Sequence, residues 1–241
     1  MIYVYAITAQ PEVRWPALRG LEEAPVFGLR YHDLAAAVSR VSTEAVPTTA
    51  DNAWCHEKVV EGMMASRTVL PVRFGTVFGG ERAVQDALTE HYDDLVADLH
   101  RLHGRVELGV RVLDDTGDEP PPPLRADPPP GDGERPAYGT GRAYLLARGE
   151  EERRQRSTRE QAESLAAAVH APLAHLSALS AHRVLATPHM LLTAAYLLDR
   201  GAVATFREEV EALGRDYPHL QFLCTGPWPP YSFVTTAAAM S

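Results

Sequence analysis

His182-Arg183-Val184-Leu185-Ala186-Thr187-Pro188-His189-Met190-Leu191-Leu192-Thr193-Ala194-Ala195-Tyr196-Leu197-Leu198 is read as two strands joined by a turn at Pro188-His189. Both runs are short and apolar, and proline punctuates them. On either side the apolar spacing changes to that of a helix. Leu165, Val169, Leu173 and Leu176 recur at three and four residues, so Glu150 to about Leu179 is expected to be helical, kinked or divided at Pro172. Before it, Gly141-Arg142-Ala143-Tyr144-Leu145-Leu146-Ala147-Arg148 is expected as a strand. After the hairpin, Val203, Phe206, Val210 and Leu213 mark a helix from Ala202 to Leu213. Gly214 ends that helix, and Leu220 to Cys224 supplies a last strand. The order β-α-β-β-α-β is that of a ferredoxin-like sandwich.

The chain then runs into Gly226-Pro227-Trp228-Pro229-Pro230-Tyr231-Ser232-Phe233-Val234. Proline lacks an amide donor, so strand pairing is expected to stop near Pro227 and the chain to leave rigid and extended. Trp228, Tyr231 and Phe233 each bring a large apolar area that needs a surface. Two uses stand open: a lid on the protein's own core, or a docking surface for another protein.

The first half is expected to follow a variant of the same plan. Ile2 to Thr8 reads as a strand with Tyr3 and Tyr5 on one face and Ile2, Val4 and Ala6 on the other. Val26 to Tyr31 and Leu34 to Val41 read as strands about the turn His32-Asp33. Asp51 is the expected N-cap of a helix reaching about Arg67, with Cys55, Val59, Val60, Met63 and Met64 as its apolar stripe. Val69-Leu70-Pro71-Val72-Arg73-Phe74-Gly75-Thr76-Val77-Phe78 alternates as one strand, and Pro71 places it at an edge. Glu81 to His103 is expected as one helix with Val84, Leu88, Leu95, Leu99 and Leu102 inward and Gly104 as its stop. Val106 to Leu113 follows as a strand.

Residues 114–137 hold two proline runs among acids and glycines, with little to bury, which is the composition of a solvated linker. The expected organisation is therefore α+β in two domains, 1–113 and 138–241. Each is a mainly antiparallel sheet covered by helices, the second ferredoxin-like.

Composition narrows the function. Of 241 residues, 45% are hydrophobic and 23% charged, as in ordinary globular proteins. A net charge of -9 argues against a nucleic-acid partner, since phosphates demand a basic patch. No apolar run approaches the roughly 20 residues that span a bilayer, and no signal peptide precedes the first strand, so a cytoplasmic protein is expected. Two distant cysteines, Cys55 and Cys224, form neither a disulfide framework nor a zinc pattern.

Candidate chemistry is weak throughout. Cys55 and His56 are neighbours on a helix and point apart, and Cys55 lies on the apolar stripe, so a packed thiol is favoured over a nucleophile. His100 and His103, with Asp94 and Asp98 nearby, can be drawn as a metal site, but the leucine stripe sends them to the wet side of the helix. Glu150 to Arg154 is a mixed-charge helix start. No glycine-rich phosphate loop follows a strand. No enzyme, cofactor or metal is expected.

Several stretches together resemble the gas vesicle protein GvpF/GvpL family: Tyr3-Val4-Tyr5-Ala6-Ile7, the run from Leu70 to Phe78, Gly141 to Leu146, Leu191 to Arg200, and Gly226 to Phe233. They occur in the family's order and span nearly the whole chain; the acidic proline segment looks like an insertion of this sequence alone. The resemblance implies an accessory or minor structural protein of gas vesicle assembly, one that helps nucleate the shell. It also implies binding to the hydrophobic major shell protein, which is thereby kept from aggregating, and to other accessory proteins, with a location at the gas vesicle, on its gas-facing side, within the cytoplasm. Pro71, Arg73 and Phe74 on an edge strand, with Trp228, Tyr231 and Phe233, are the expected partner-binding residues. The competing reading is a stand-alone small-molecule-binding ferredoxin-like module.

Overall fold

The computed structural model describes residues 1–9, 15–114, 140–187 and 190–235, and shows two antiparallel sheets flanked by helices. The expected linker lies outside those residues apart from Asp114, as does the turn at Pro188-His189. The first sheet contains β1 (Ile2–Ala9), β2 (Phe27–Tyr31), β3 (Leu34–Arg40) and β4 (Val69–Pro71), in the order β2-β3-β1-β4, with β5 (Val77–Phe78) also on β1. The second contains β6 (Arg105–Asp114), β7 (Leu179–Thr187), β8 (Met190–Asp199) and β9 (Leu220–Trp228), in the order β7-β8-β6-β9.

One strand assignment is corrected here. Gly141 to Arg148 lies inside a helix, α4 (Thr140–His175), and the first strand of the ferredoxin-like unit is β6. The Ala, Leu and Arg content of that stretch favours helix, and its apparent alternation is too short to outweigh that preference. The strand expected to complete the first sheet is thus central in the second, between β8 and β9. Pro172 falls in the last turn of α4, which runs on to His175 without dividing.

Strand β1 is buried along nearly its whole length because both faces are covered. Tyr3 and Tyr5 face α1 (Ala50–Met64), where Val59, Val60 and Met63 pack. Ile2, Val4 and Ile7 face α2 (Glu81–Glu90) and α3 (Tyr92–Arg101), meeting Val84, Leu88, Leu95, Leu99 and Leu102. A register shift between Val4 and Ala6 reverses the alternation, so Ala6 joins the tyrosine side and not that of Ile2 and Val4. The cap of α1 is Thr49, whose hydroxyl accepts the Asn52 N–H at 3.2 Å; Asp51 sits in the first turn, where its charge suits the helix dipole.

The expected helix from Glu81 to His103 is two helices that break at His91, where φ is -108°. Gly104 ends the second at φ +71°. The run from Val69 to Phe78 is likewise divided. Val72 N–H bonds the Tyr5 carbonyl and Val4 N–H bonds the Thr76 carbonyl, while Arg73 to Gly75 loops away from β1. Gly75, at φ +91°, makes that excursion possible, and it turns Phe74 to the face opposite Leu70 and Val72.

In the second sheet, α4 and α5 (Val203–Asp216) cover one face, with Val169, Leu173, Phe206, Val210 and Leu213 against Leu108, Val110, Leu192 and Tyr196. The two sheets share cores where they meet: Leu197 of β8 joins the first cluster and Val106 of β6 the tyrosine cluster. Arg200 caps α1 across this junction, donating to the Met64 carbonyl at 2.8 Å.

Candidate interaction surface

The last strand does not end in solvent. At Gly226 (φ +107°) the ladder shifts register, from Gly109 opposite Thr225 to Glu107 opposite Trp228. A Cβ at Gly226 would stand 2.8 Å from the Glu107 carbonyl oxygen, so both the conformation and the space require glycine. Beyond Trp228 the residues 229–235 form a strap that returns to the first sheet.

Two carboxylates and an arginine fasten it. Glu107 accepts the Ser232 N–H at 2.8 Å and the Ser232 hydroxyl at 2.7 Å. Asp98 of α3 accepts the Thr235 N–H at 2.8 Å and its hydroxyl at 2.9 Å. Arg101 donates to the Phe233 carbonyl at 2.6 Å and to Asp98 at 2.5 Å. Tyr231 faces Glu57 on α1; burial, strengthened by that negative charge, pushes its hydroxyl far above the usual phenol range. Phe233 is buried with Leu70, Val72 and Leu99 on the opposite face. The strap thus passes from the α1 side at Tyr231 to the α3 side at Phe233, and near the β4 end of the sheet its Pro230 lines one cleft with Val69.

The carboxylates respond to this packing in opposite ways. Burial raises Glu107, only partly offset by its two bonds from Ser232, and burial likewise raises Glu57. Burial would raise Asp98 too, but Arg101 and the two Thr235 donors hold it below the ordinary carboxylate range.

Beneath the strap lies a polar knot in the tyrosine cluster. The Tyr3 hydroxyl sits 2.8 Å from His56 Nδ1 and accepts the Gly75 N–H at 3.0 Å. The Tyr5 hydroxyl pairs with Ser39 at 2.8 Å and accepts the Leu21 N–H at 2.8 Å. Phe74 packs edge-on against both Tyr3 and His56. Burial pushes His56 down to about 4, so the ring is neutral at pH 7. Cys55 is half-buried, and burial with the nearby Glu23 charge pushes its thiol up, away from the thiolate a nucleophile requires.

The six expected contact residues do not form one surface: Phe74 and Tyr231 both lie near Tyr3, while Trp228 stands on the outer face of the second sheet. Pro71 and Phe233 are interior, Phe74 and Tyr231 half-buried, and Arg73 and Trp228 exposed. Pro71 pairs with Ala6 of β1 at the end of the sheet order. Asp98, expected on the wet side of its helix, is buried instead. Its position had a legible signal: with Leu95, Leu99 and Leu102 it completes the i, i+3, i+4, i+7 pattern of an inward face. His100 and His103 do face solvent, beside a cavity of about 430 Å³ that Thr8, Leu34, Arg67 and Leu99 also line. Among the described residues, no three of His, Cys, Asp and Glu are placed to hold a metal ion. Nor is any described helix long and apolar enough to cross a membrane.

Comparison with known proteins completes the description. The family model described as gas vesicle synthesis protein GvpL/GvpF matches residues 1–235. Gas vesicle protein L of Streptomyces sp. (strain CB03234) is 31% identical, covering 98% of this chain and 93% of its own. Gas vesicle protein F1 of Halobacterium salinarum is 26% identical, covering 97% and 92%. The crystal structure of GvpF from Anabaena sp. PCC7120 superposes with a TM-score of 0.73 at 22% identity, over 97% of this chain and 95% of that one, which shows a shared fold.

Proposed function

Because the chain belongs to the GvpL/GvpF family of gas vesicle synthesis proteins, and so acts with other gas vesicle proteins in forming the vesicle, we propose that it does so by binding. In this reading it holds the hydrophobic major shell protein, prevents its aggregation, and helps nucleate the shell together with other accessory proteins. It works in the cytoplasm and at the gas-facing side of the growing vesicle, and it transforms no substrate. A shell subunit with exposed apolar surface is an aggregation hazard until a partner covers it. The observation that carries the reading is the strap. It packs Phe233 against Leu70 and Val72 of the first sheet, and beside it Phe74 and Tyr231 stand half-exposed, with Arg73 and Trp228 outward. A pre-ordered aromatic surface loses little conformational entropy on binding.

Pro71 and Phe233 contribute from inside, by holding the contact residues in place. The test is capture of purified shell protein by the intact chain and by a Trp228→Ala/Arg73→Glu variant. Weaker capture at unchanged melting temperature supports the assignment; equal capture removes these residues from the interface. Deletion of the gene followed by electron microscopy tests the role itself, and normal vesicles would overturn it.

The small-molecule reading has one observation in its favour, the cavity between the end of β1, the start of β3, residues 66–68 and α3. It would require a metabolite that raises the melting temperature in a ligand screen.

A further inference from the structure

The second sheet has an outer face that the described residues leave without a helix. Cross-strand register lays its side chains out in rows. Ala181, Ala195, Gly109 and Thr225 stand side by side across all four strands. On one side of them is the row Arg183, Thr193, Arg111, Leu223, and on the other the row of Glu107 and Trp228. The small middle row is thus the floor of a trough enclosing about 460 Å³. Leu223 is 50% exposed and Trp228 38%, so both walls present apolar surface.

Charge on this trough is lopsided. Arg111 and Arg183 flank Thr193, are exposed, and make no ion pair among the described residues. The acid on this side, Glu107, is two rows away and engaged by Ser232. In a chain of net charge -9, two uncompensated arginines beside leucine and tryptophan are an unusual local arrangement. They match an acidic partner.

The trough's width says what form that partner takes. Its walls are set by Glu107 and Arg111, four residues apart on β6, or about 14 Å along a strand. A helix with its side chains is about 10–12 Å across and fills that span. A single added strand occupies only about 5 Å and would leave most of the floor bare. The floor crosses four strands, which matches about three helical turns.

We propose that this trough is a docking site for a short amphipathic helix of another protein, apolar along the side that meets Ala195, Gly109 and Trp228 and acidic along the edge that meets Arg111 and Arg183. The site borders the strap, whose Ser232 lines one end of it, and shares Trp228 with the surface proposed above. Reversing the charge of Arg111 and Arg183 leaves Trp228 and the strap in place, so its outcome is distinguishable from failure of that reading.

The experiment places a photo-crosslinking residue at Thr193 of the full chain, expressed with its companion gas vesicle proteins, and identifies the captured segment by mass spectrometry. The expected product is one segment of another protein with helical apolar spacing and an acidic edge. Its yield should fall about tenfold or more in Arg111→Glu/Arg183→Glu, with the melting temperature unchanged. Acid-to-lysine substitutions in the captured segment should restore the yield. Capture of a second copy of this chain, of a basic or extended segment, or of nothing would overturn the proposal. So would a yield indifferent to the charge reversal.

Discussion

The two sheets share a strand order and differ in what covers them. In both, the first strand of the unit lies between the third and the fourth: β1 between β3 and β4, β6 between β8 and β9. The second unit links its first two strands through the 36-residue helix α4, whereas the first links β1 to β2 without an α-helix among the described residues. The first unit instead has α1 on one face, α2 and α3 on the other, and Phe233 of the strap in its core. The second, among the described residues, has helices on one face. One plan thus gives a closed unit, covered on both faces, and an open unit, covered on one among the described residues.

The contrast is broken most severely at Phe233. Phe233→Ala empties a position in the first core and frees the strap; a loss of about 3–5 kcal/mol is expected by urea denaturation, with faster amide exchange in β4. The closed unit should also be acid-sensitive through His56. Folded, His56 titrates near 4; unfolded, near its ordinary 6.5, so the unfolded chain binds the extra proton between those values. Stability is therefore full above pH 6.5 and falls on the order of 3 kcal/mol by pH 4. Urea titrations at pH 7 and 4.5 check this, and His56→Phe should flatten the dependence.

Asp98→Asn tests the strap's anchor more gently. Weakening charge-assisted bonds to Arg101 and Thr235 should cost about 1.5–3 kcal/mol. Because Asp98 sits below its ordinary range, its contribution persists at neutral pH and is lost as pH falls through that lowered value. In thermal melts the gap between the two proteins should be largest at pH 7 and narrow as the pH is lowered into the acid range. The smallest expected effect belongs to the open unit: Arg111→Glu/Arg183→Glu should leave stability within about 0.5 kcal/mol, as checked by melting temperature. A large loss would mean that this face is not free.

Much of this was legible in the residues, unevenly. The stripe Val84 to Leu102 is buried as its spacing requires, as are Phe206, Val210 and Leu213, with Val203 half-buried, because helical periodicity is a local property. The turn at His32-Asp33 and the stop at Gly104 were legible for the same reason. The stretch 141–148 is ambiguous because eight residues, six of them Ala, Leu or Arg, carry no period long enough to separate strand from helix. The looped middle of 69–78 depends on Tyr3 and Gly75 meeting, a contact between residues 72 apart. Asp98 shows a subtler failure: its inward position was in the pattern, but its partners Arg101 and Thr235 come from two elements, and only a fold that joins them makes a buried carboxylate tolerable.

The sequence by itself determined the composition of two α+β units, the alternating strands, the helical stripes and the aromatic-proline segment, since each is written in neighbours along the chain. Tertiary structure alone decided that β6 belongs to the second sheet, that the segment after Trp228 returns to close the first, and which face stays open. Those outcomes turn on pairings between distant strands, where register and cover are settled by the surface available to bury and not by any local preference.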